Sequence, residues 1–191
     1  MPEKEGLQAE AEVKIMSNKN INNIQDAVAV IGMACRFPGA KNINEFWHNL
    51  KNGVESISFF SEAEALEHGV NPDDVKNPSL IRAFGVLEDS DKFDAEFFGF
   101  SPREAELLDP QSRVFLECAW HAVEDAGYDV DRINGRTGVY ASASISTYLL
   151  RNLLRNRELI DSVGGISALL GNDKDHIPSR VSYAMNFQGP S

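Results

Sequence analysis

The hydrophobic pattern of the chain changes period several times, and each change marks an element. Ala27-Val28-Ala29-Val30-Ile31-Gly32-Met33 is a continuous apolar run, the pattern of a strand buried on both faces as in a parallel sheet. Arg36-Phe37-Pro38-Gly39 ends it. Asn42 and Glu45 then have the spacing of a helix-opening capping box, with Asn in place of the usual Ser or Thr. The helix that follows places Phe46, Trp47 and Leu50 on one face and stops at Gly53. Residues 54–92 mix short apolar pairs, acidic clusters and the Asn71-Pro72 and Asn77-Pro78 turn signals, which predicts loops, short helices and a small hairpin.

Helical periodicity returns at Ser101-Pro102-Arg103-Glu104, which supplies an N-cap, a proline at the first helical position and the glutamate of a capping box. Asp109-Pro110 restarts a helix in the same way. Leu116, Ala119, Trp120 and Val123 form its apolar stripe, and Gly127 ends it. Thr137 to Ala143 is a second strand candidate, with small residues that permit close packing. Residues 146–160, 161–171 and Pro178 to Phe187 predict three further helices, the last closed by Gly189. Strands alternating with helices imply an α/β layered fold.

Residues 1–25 break the pattern. They are polar, rich in Glu, Lys, Asn and Gln, and predict a linker, a disordered leader or a docking segment. The chain as a whole has the composition of an ordinary folded domain, 42% hydrophobic and 25% charged over 191 residues. The formal net charge of −11 argues against nucleic acid or an anionic membrane as the partner, because phosphate binding is driven by basic patches. No run is long enough to span a membrane, and the charged N-terminus lacks the apolar core of an export signal. The expected location is cytoplasmic, with Cys35 and Cys118 reduced.

Candidate chemistry is sparse. Cys35 and Cys118 lack any adjacent base or helix N-terminus that would hold a thiolate, so both are expected to be inert packed thiols. His48, His68, His121 and His176 show no metal-ligand spacing. His121, on the helix beside Trp120, is expected at or near the surface. Gly32 and Gly39 build neither a dinucleotide fingerprint nor a phosphate loop. Asp173-Lys174-Asp175 fails the calcium-loop pattern and is expected to be a polar loop.

Four blocks, in order, give the chain a sharper reading. They are Val28 to Gly39; Phe93 to Ala105; Asp109-Pro110-Gln111-Ser112-Arg113 with Leu116-Glu117, Trp120 and Glu124-Asp125-Ala126-Gly127-Tyr128; and Gly138-Val139-Tyr140-Ala141 with the tail from Gly171-Asn172-Asp173-Lys174-Asp175 to Gly189-Pro190-Ser191. Together they resemble the N-terminal part of the β-ketoacyl synthase (ketosynthase) domain of modular type I polyketide synthases, over about residues 26–191. His121 departs from the glutamate usual at its position.

The resemblance implies a thiolase-like α/β fold, here most of the N-terminal half of a layered α/β/α ketosynthase. It implies an acyltransferase activity. A cysteine takes an acyl chain from a phosphopantetheine thioester, and two histidines assist decarboxylation of a malonyl-type extender on an acyl carrier protein. The resulting carbanion attacks the acyl-cysteine in a Claisen condensation. The cysteine is expected about seven residues past the Gly-Pro-Ser, and both histidines far beyond it. No catalytic, cofactor-binding or metal-binding residue is therefore carried over, and the fragment alone is expected to be inactive. Expected partners are the acyl carrier protein, other polyketide synthase domains and, for the complete domain, a second copy. Two alternatives stay open: a non-catalytic split half or docking piece that pairs with a chain carrying the catalytic groups, and the ketosynthase of a type I fatty-acid synthase.

Overall fold

A computed structural model describes residues 27–67, 69–133 and 135–191. The polar leader over residues 1–25 and His68 lie outside the described residues. Two units are distinguished, 1–31 and 32–191. In the first, residues 27–31 are exposed and carry no regular secondary structure. The second is a set of short helices around two apolar clusters.

Helix α1 (Ile43–Asn52) starts as the sequence predicts. Glu45 donates its backbone N–H to the Asn42 side-chain oxygen at 3.0 Å, and Gly53 ends the helix in the left-handed conformation at φ 61°. The reciprocal bond is displaced by one residue: the Glu45 carboxylate accepts from the Lys41 backbone at 2.8 Å and from the Asn42 amide at 2.9 Å. The expected apolar face divides. Phe46 stacks on Phe37 with ring centroids 4.2 Å apart, while Trp47 and Leu50 face outward, 61% and 56% exposed.

Residues 54–92 are as read from their turn signals. Strands β1 (Ser58–Phe59) and β2 (Ala83–Phe84) pair antiparallel, Ser58 opposite Phe84 and Phe59 opposite Ala83. Between them lie α2 (Glu62–Glu67) and α3 (Pro72–Val75), the latter capped by Asn71 with Pro72 in its first turn.

Helix α4 (Pro102–Leu107) carries both bonds of the capping box between Ser101 and Glu104. Helix α5 (Pro110–Asp125) is capped by Asp109, whose carboxylate accepts from the Gln111 backbone at 2.7 Å. Its apolar stripe packs into the larger cluster. Leu108, Leu116, Val130, Val181 and Met185 are buried there, with Phe93, Phe98, Phe100, Trp120 and Val123 against them. Leu116 is 0% exposed, a burial that stabilises the fold by about 2 kcal/mol. The Phe97 and Phe98 rings both meet the Trp120 ring edge-on, at 4.7 and 6.3 Å, a preferred aromatic geometry.

The second cluster is Leu107, Leu153, Leu159 and Ala168. Leu107 and Leu108 are thus consecutive residues that enter different clusters. The α4–α5 junction pins the two together.

Three sequence expectations are corrected. First, neither Ala27 to Met33 nor Thr137 to Ala143 forms a strand of a parallel sheet. A strand exists only as a hydrogen-bonded partner of another strand, and the only ladder among the described residues is β1–β2. Residues 137–143 nevertheless keep the side-chain alternation of a strand: Thr137, Val139, Ala141 and Ala143 are half-buried, and Gly138, Tyr140 and Ser142 are exposed.

Second, the region expected as helices over 146–160 and 161–171 is a π-helical turn (Leu149–Leu153), α6 (Arg157–Val163) and α7 (Gly165–Asn172). Asn156 caps α6 through Leu159 N–H at 3.2 Å, and Gly164 at φ 97° separates α6 from α7. Third, Asp173-Lys174-Asp175 is more ordered than a loop. Asp173 caps a 3-10 turn (Lys174–His176), and α8 (Ile177–Ala184) follows it. Asn186, at φ 52°, turns the chain out of α8 before Gly189 is reached. The short polar side chain of Asn tolerates that conformation.

Candidate functional site

Two of the sequence blocks meet at one segment, residues 137–146, which is held at three points. Gln111, from the Asp109-Pro110-Gln111 block, holds it at one point. The side-chain amide donates to the Ser144 carbonyl at 3.3 Å and its oxygen accepts the Ser144 N–H at 3.1 Å, so the amide satisfies both backbone groups of one residue.

Asn172, from the Gly171-Asn172-Asp173 block, holds it at a second point. It is 7% exposed. Its amide nitrogen donates to the Leu107 and Ala168 carbonyls, each at 2.7 Å, and its oxygen accepts from the Ser146 hydroxyl at 2.9 Å. Ser146 in turn accepts the N–H of Leu149, the first residue of the π-helical turn, at 3.0 Å. One residue earlier, Gly171 accepts the Asp109 backbone N–H at 3.1 Å. Gly171 is tightly packed there: a Cβ would lie 3.2 Å from the Leu107 carbonyl oxygen.

The Gly189-Pro190 end supplies the third point. Gly189 N–H donates to the Thr137 carbonyl at 2.9 Å, and Val139 N–H donates to the Pro190 carbonyl at 2.8 Å. A Cβ on Gly189 would fall 2.4 Å from Thr137 backbone atoms, inside any van der Waals contact. Only glycine permits this approach.

Charged groups flank the same scaffold. Arg113 is 8% exposed, donates to the Asp91 carbonyl at 3.3 Å and lies over the Tyr148 ring at 5.9 Å. Arg36 pairs with Glu117 at 2.7 Å and donates to the Glu88 carbonyl at 2.7 Å. An open cleft of about 400 Å³ lies beside α7 and α8, with Phe100, Glu104, Leu170, Arg180 and Tyr183 among its walls.

These contacts are polar, directed and mostly main-chain. They position backbone, and the ion pair beside them, Arg36 with Glu117, holds two groups that stay charged. Of the residues singled out in the sequence, Cys35 and Cys118 are both half-buried. Burial raises each thiol above its ordinary range, and at Cys118 the Arg36 guanidinium opposes that while Glu117 adds to it. A raised thiol holds little thiolate at neutral pH and is a poor nucleophile. His48 and His121 are exposed and His176 half-buried, on three different elements. Among the described residues no His, Cys, Asp and Glu group of three or more is arranged to hold a metal ion, and no helix is long and apolar enough to cross a membrane.

Sequence reasoning missed Gln111, Ser146 and Asn172 as working residues. Gln111 and Asn172 stood within the family blocks with no role of their own, and Ser146 was not singled out. The available signal was an Asn closing the apolar stretch Ile166 to Leu170, where burial demands that its amide be satisfied.

The family model for the β-ketoacyl synthase N-terminal domain matches residues 25–191. The chain belongs to the β-ketoacyl synthase family. Among its relatives, a phenolphthiocerol/phthiocerol polyketide synthase of Mycobacterium tuberculosis is 48% identical over 173 residues, which are 87% of this chain and 12% of that protein. The pikromycin polyketide synthase component PikAII of Streptomyces venezuelae is 37% identical over 173 residues, 87% of this chain and 4% of that protein. The solved ketosynthase twelve of the bacillaene polyketide synthase of Bacillus amyloliquefaciens superposes with a TM-score of 0.72 at 43% identity, covering 85% of this chain and 28% of that one. The oxazolomycin ketosynthase domain from Streptomyces albus gives 0.69 at 31% identity, 87% of this chain and 29% of that one.

The fold is therefore thiolase-like, as the resemblance implied, and the chain is a ketosynthase N-terminal segment of polyketide synthase type. It spans less than a third of the solved ketosynthases and an eighth or less of these polyketide synthases.

Proposed function

We propose that these residues are the scaffold half of a condensing enzyme, a β-ketoacyl-acyl carrier protein synthase of a polyketide synthase, whose nucleophilic cysteine and histidines lie outside the 191 residues. The match over residues 25–191 carries this reading. The geometry supports it: side chains and backbone of two family blocks are spent on fixing residues 137–146 and the Gly189-Pro190 exit, and neither cysteine has a base.

In the complete domain the cysteine thiolate attacks an acyl-phosphopantetheine thioester, and the carrier thiol leaves. A malonyl-type extender on the acyl carrier protein then loses carbon dioxide. Its carbanion displaces the cysteine sulfur, forming the new carbon–carbon bond and a β-ketoacyl thioester. The scaffold's part is to hold the Gly189-Pro190 backbone where the following residues must begin. Partners on this reading are the acyl carrier protein, the neighbouring synthase domains and a second ketosynthase copy.

The test is a graft. Residues 26–191 replace the matching segment of the bacillaene ketosynthase, and acyl loading and condensation are measured. Activity within about tenfold of the parent is expected. The 191-residue chain alone should take up no acyl group from an acyl thioester. Stable acylation of Cys35 or Cys118 would overturn the assignment of the chemistry to residues outside the chain.

A further inference from the structure

We propose that Cys35 and Cys118 form an oxidisable pair that closes to a disulfide by exchange with a small disulfide such as oxidised glutathione, stapling the segment Gly32–Arg36 to helix α5.

The geometry rests on three contacts that fix how this segment lies on the helix. Gly32 packs backbone to backbone on α5: a Cβ there would fall 2.3 Å from the Ala122 carbonyl oxygen and 2.7 Å from Ala126 nitrogen. Met33 N–H donates to the Asp125 carboxylate at 2.8 Å. Arg36 then reaches Glu117 at 2.7 Å. The segment therefore runs against the helix direction, from its C-terminal end back toward Glu117.

The register follows from two rises. From Gly32 to Cys35, three residues of non-helical chain advance at most about 10 Å. From the level of residue 124 back to Cys118, six helical residues cover about 9 Å. Cys35 can thus reach the level of Cys118. Cys118, Ala122 and Ala126 recur every four residues and share the helix face on which Gly32 rests. Two alanines and a glycine at this contact leave the backbones close, which a disulfide requires. The Cys35 thiolate also contributes directly to raising the Cys118 thiol, so the two sulfurs sense each other.

The step balances as thiol–disulfide exchange. The thiolate of Cys35 attacks one glutathione disulfide and expels a glutathione thiolate. The Cys118 thiolate then attacks the mixed disulfide at the Cys35 sulfur and expels the second glutathione. Two protein thiols are oxidised, and one glutathione disulfide is reduced to two thiols. This pair stands apart from the condensing chemistry, and its test does not depend on the graft.

The full 191-residue chain is equilibrated with glutathione redox buffers, in native buffer and in denaturant, and the species are resolved by mass and peptide mapping. In native buffer the intramolecular Cys35–Cys118 cross-link should exceed singly and doubly glutathionylated protein by at least about tenfold more than in denaturant, because the fold raises the effective concentration of one thiol at the other. Cys35→Ser and Cys118→Ser should each retain one glutathione and form no internal cross-link. The same partition in both buffers, two stable glutathione adducts, no modification, or cross-links only between chains would each overturn the proposal.

Discussion

Asn172 holds the carbonyl of Leu107 at 2.7 Å through its side-chain amide, across 65 positions of sequence. The same residue takes the Ser146 hydroxyl, so a single buried amide joins the α4–α5 junction, α7 and the 137–146 segment. Asn172→Leu would leave the Leu107 carbonyl and the Ser146 hydroxyl without this partner in a dry site. A loss of about 2–3 kcal/mol is expected, read as a lower urea midpoint. Ser146→Ala, which removes one member and leaves the carbonyls satisfied, should cost about 1 kcal/mol. Equal losses for the two would show that the network does not centre on Asn172.

Gly189→Ala tests the exit. Its Cβ would meet the Thr137 backbone at 2.4 Å, and backbone cannot step aside as a flexible side chain can. The expected cost is about 1–3 kcal/mol. In the grafted ketosynthase the same change should lower acyl loading, since the chain beyond Pro190 would be displaced. A variant that loads as fast as its parent would separate the exit geometry from the chemistry.

The helix α4 cap makes a pH prediction. The Ser101 backbone N–H, and secondarily its hydroxyl, hold the Glu104 carboxyl below its ordinary value of 4.5. A depressed folded value means that the bond contributes fully above the unfolded carboxyl range. Its contribution is then lost as pH falls through the lowered value. Glu104→Gln should therefore flatten the pH dependence of stability below about 4.5, because it removes the carboxylate's contribution near neutrality and changes little at low pH. Ser101→Ala should cost about 1 kcal/mol at neutral pH. Thermal melts from pH 3 to 7 distinguish the two.

Reactivity of the thiols is ordered by burial. Both are raised, and Cys118 lies deeper on the helix face, so iodoacetamide should label Cys35 first at pH 8. Arg36→Met removes the one charge that favours the Cys118 thiolate and leaves Glu117 unpaired beside it. Labelling of Cys118 should slow further, by several-fold, unless the change also opens the contact with α5. Protease protection of the 32–40 region tells those outcomes apart.

Local chemistry was the most legible part of this chain. The caps at Asn42, Ser101 and Asp109, the stops at Gly53 and Gly127, and the stripe through Leu116 and Trp120 all act within a few residues, so their spacing contains their cause. The strands at 27–33 and 137–143 were misread because a strand's partner is remote. An apolar run or an alternation says that a segment suits a sheet, not that a neighbour is there to pair with it. The split of residues 146–172 into a π-helical turn and two short helices turned on Gly164 taking a positive φ, which glycine permits but does not compel.

The sequence by itself determined the family, through four ordered blocks, together with the helix caps and the apolar stripe of α5. Those follow from residue identity and short spacing. Only the tertiary structure decided what the blocks are for. Gln111, Asn172 and Gly189 are far apart in the chain, yet they hold one segment, because buried backbone groups must find partners and here the partners come from two helices and the turn that follows a third. It likewise decided that the segment Gly32–Arg36 lies against α5. That depends on Gly32 reaching the backbone of α5, a contact no local pattern encodes.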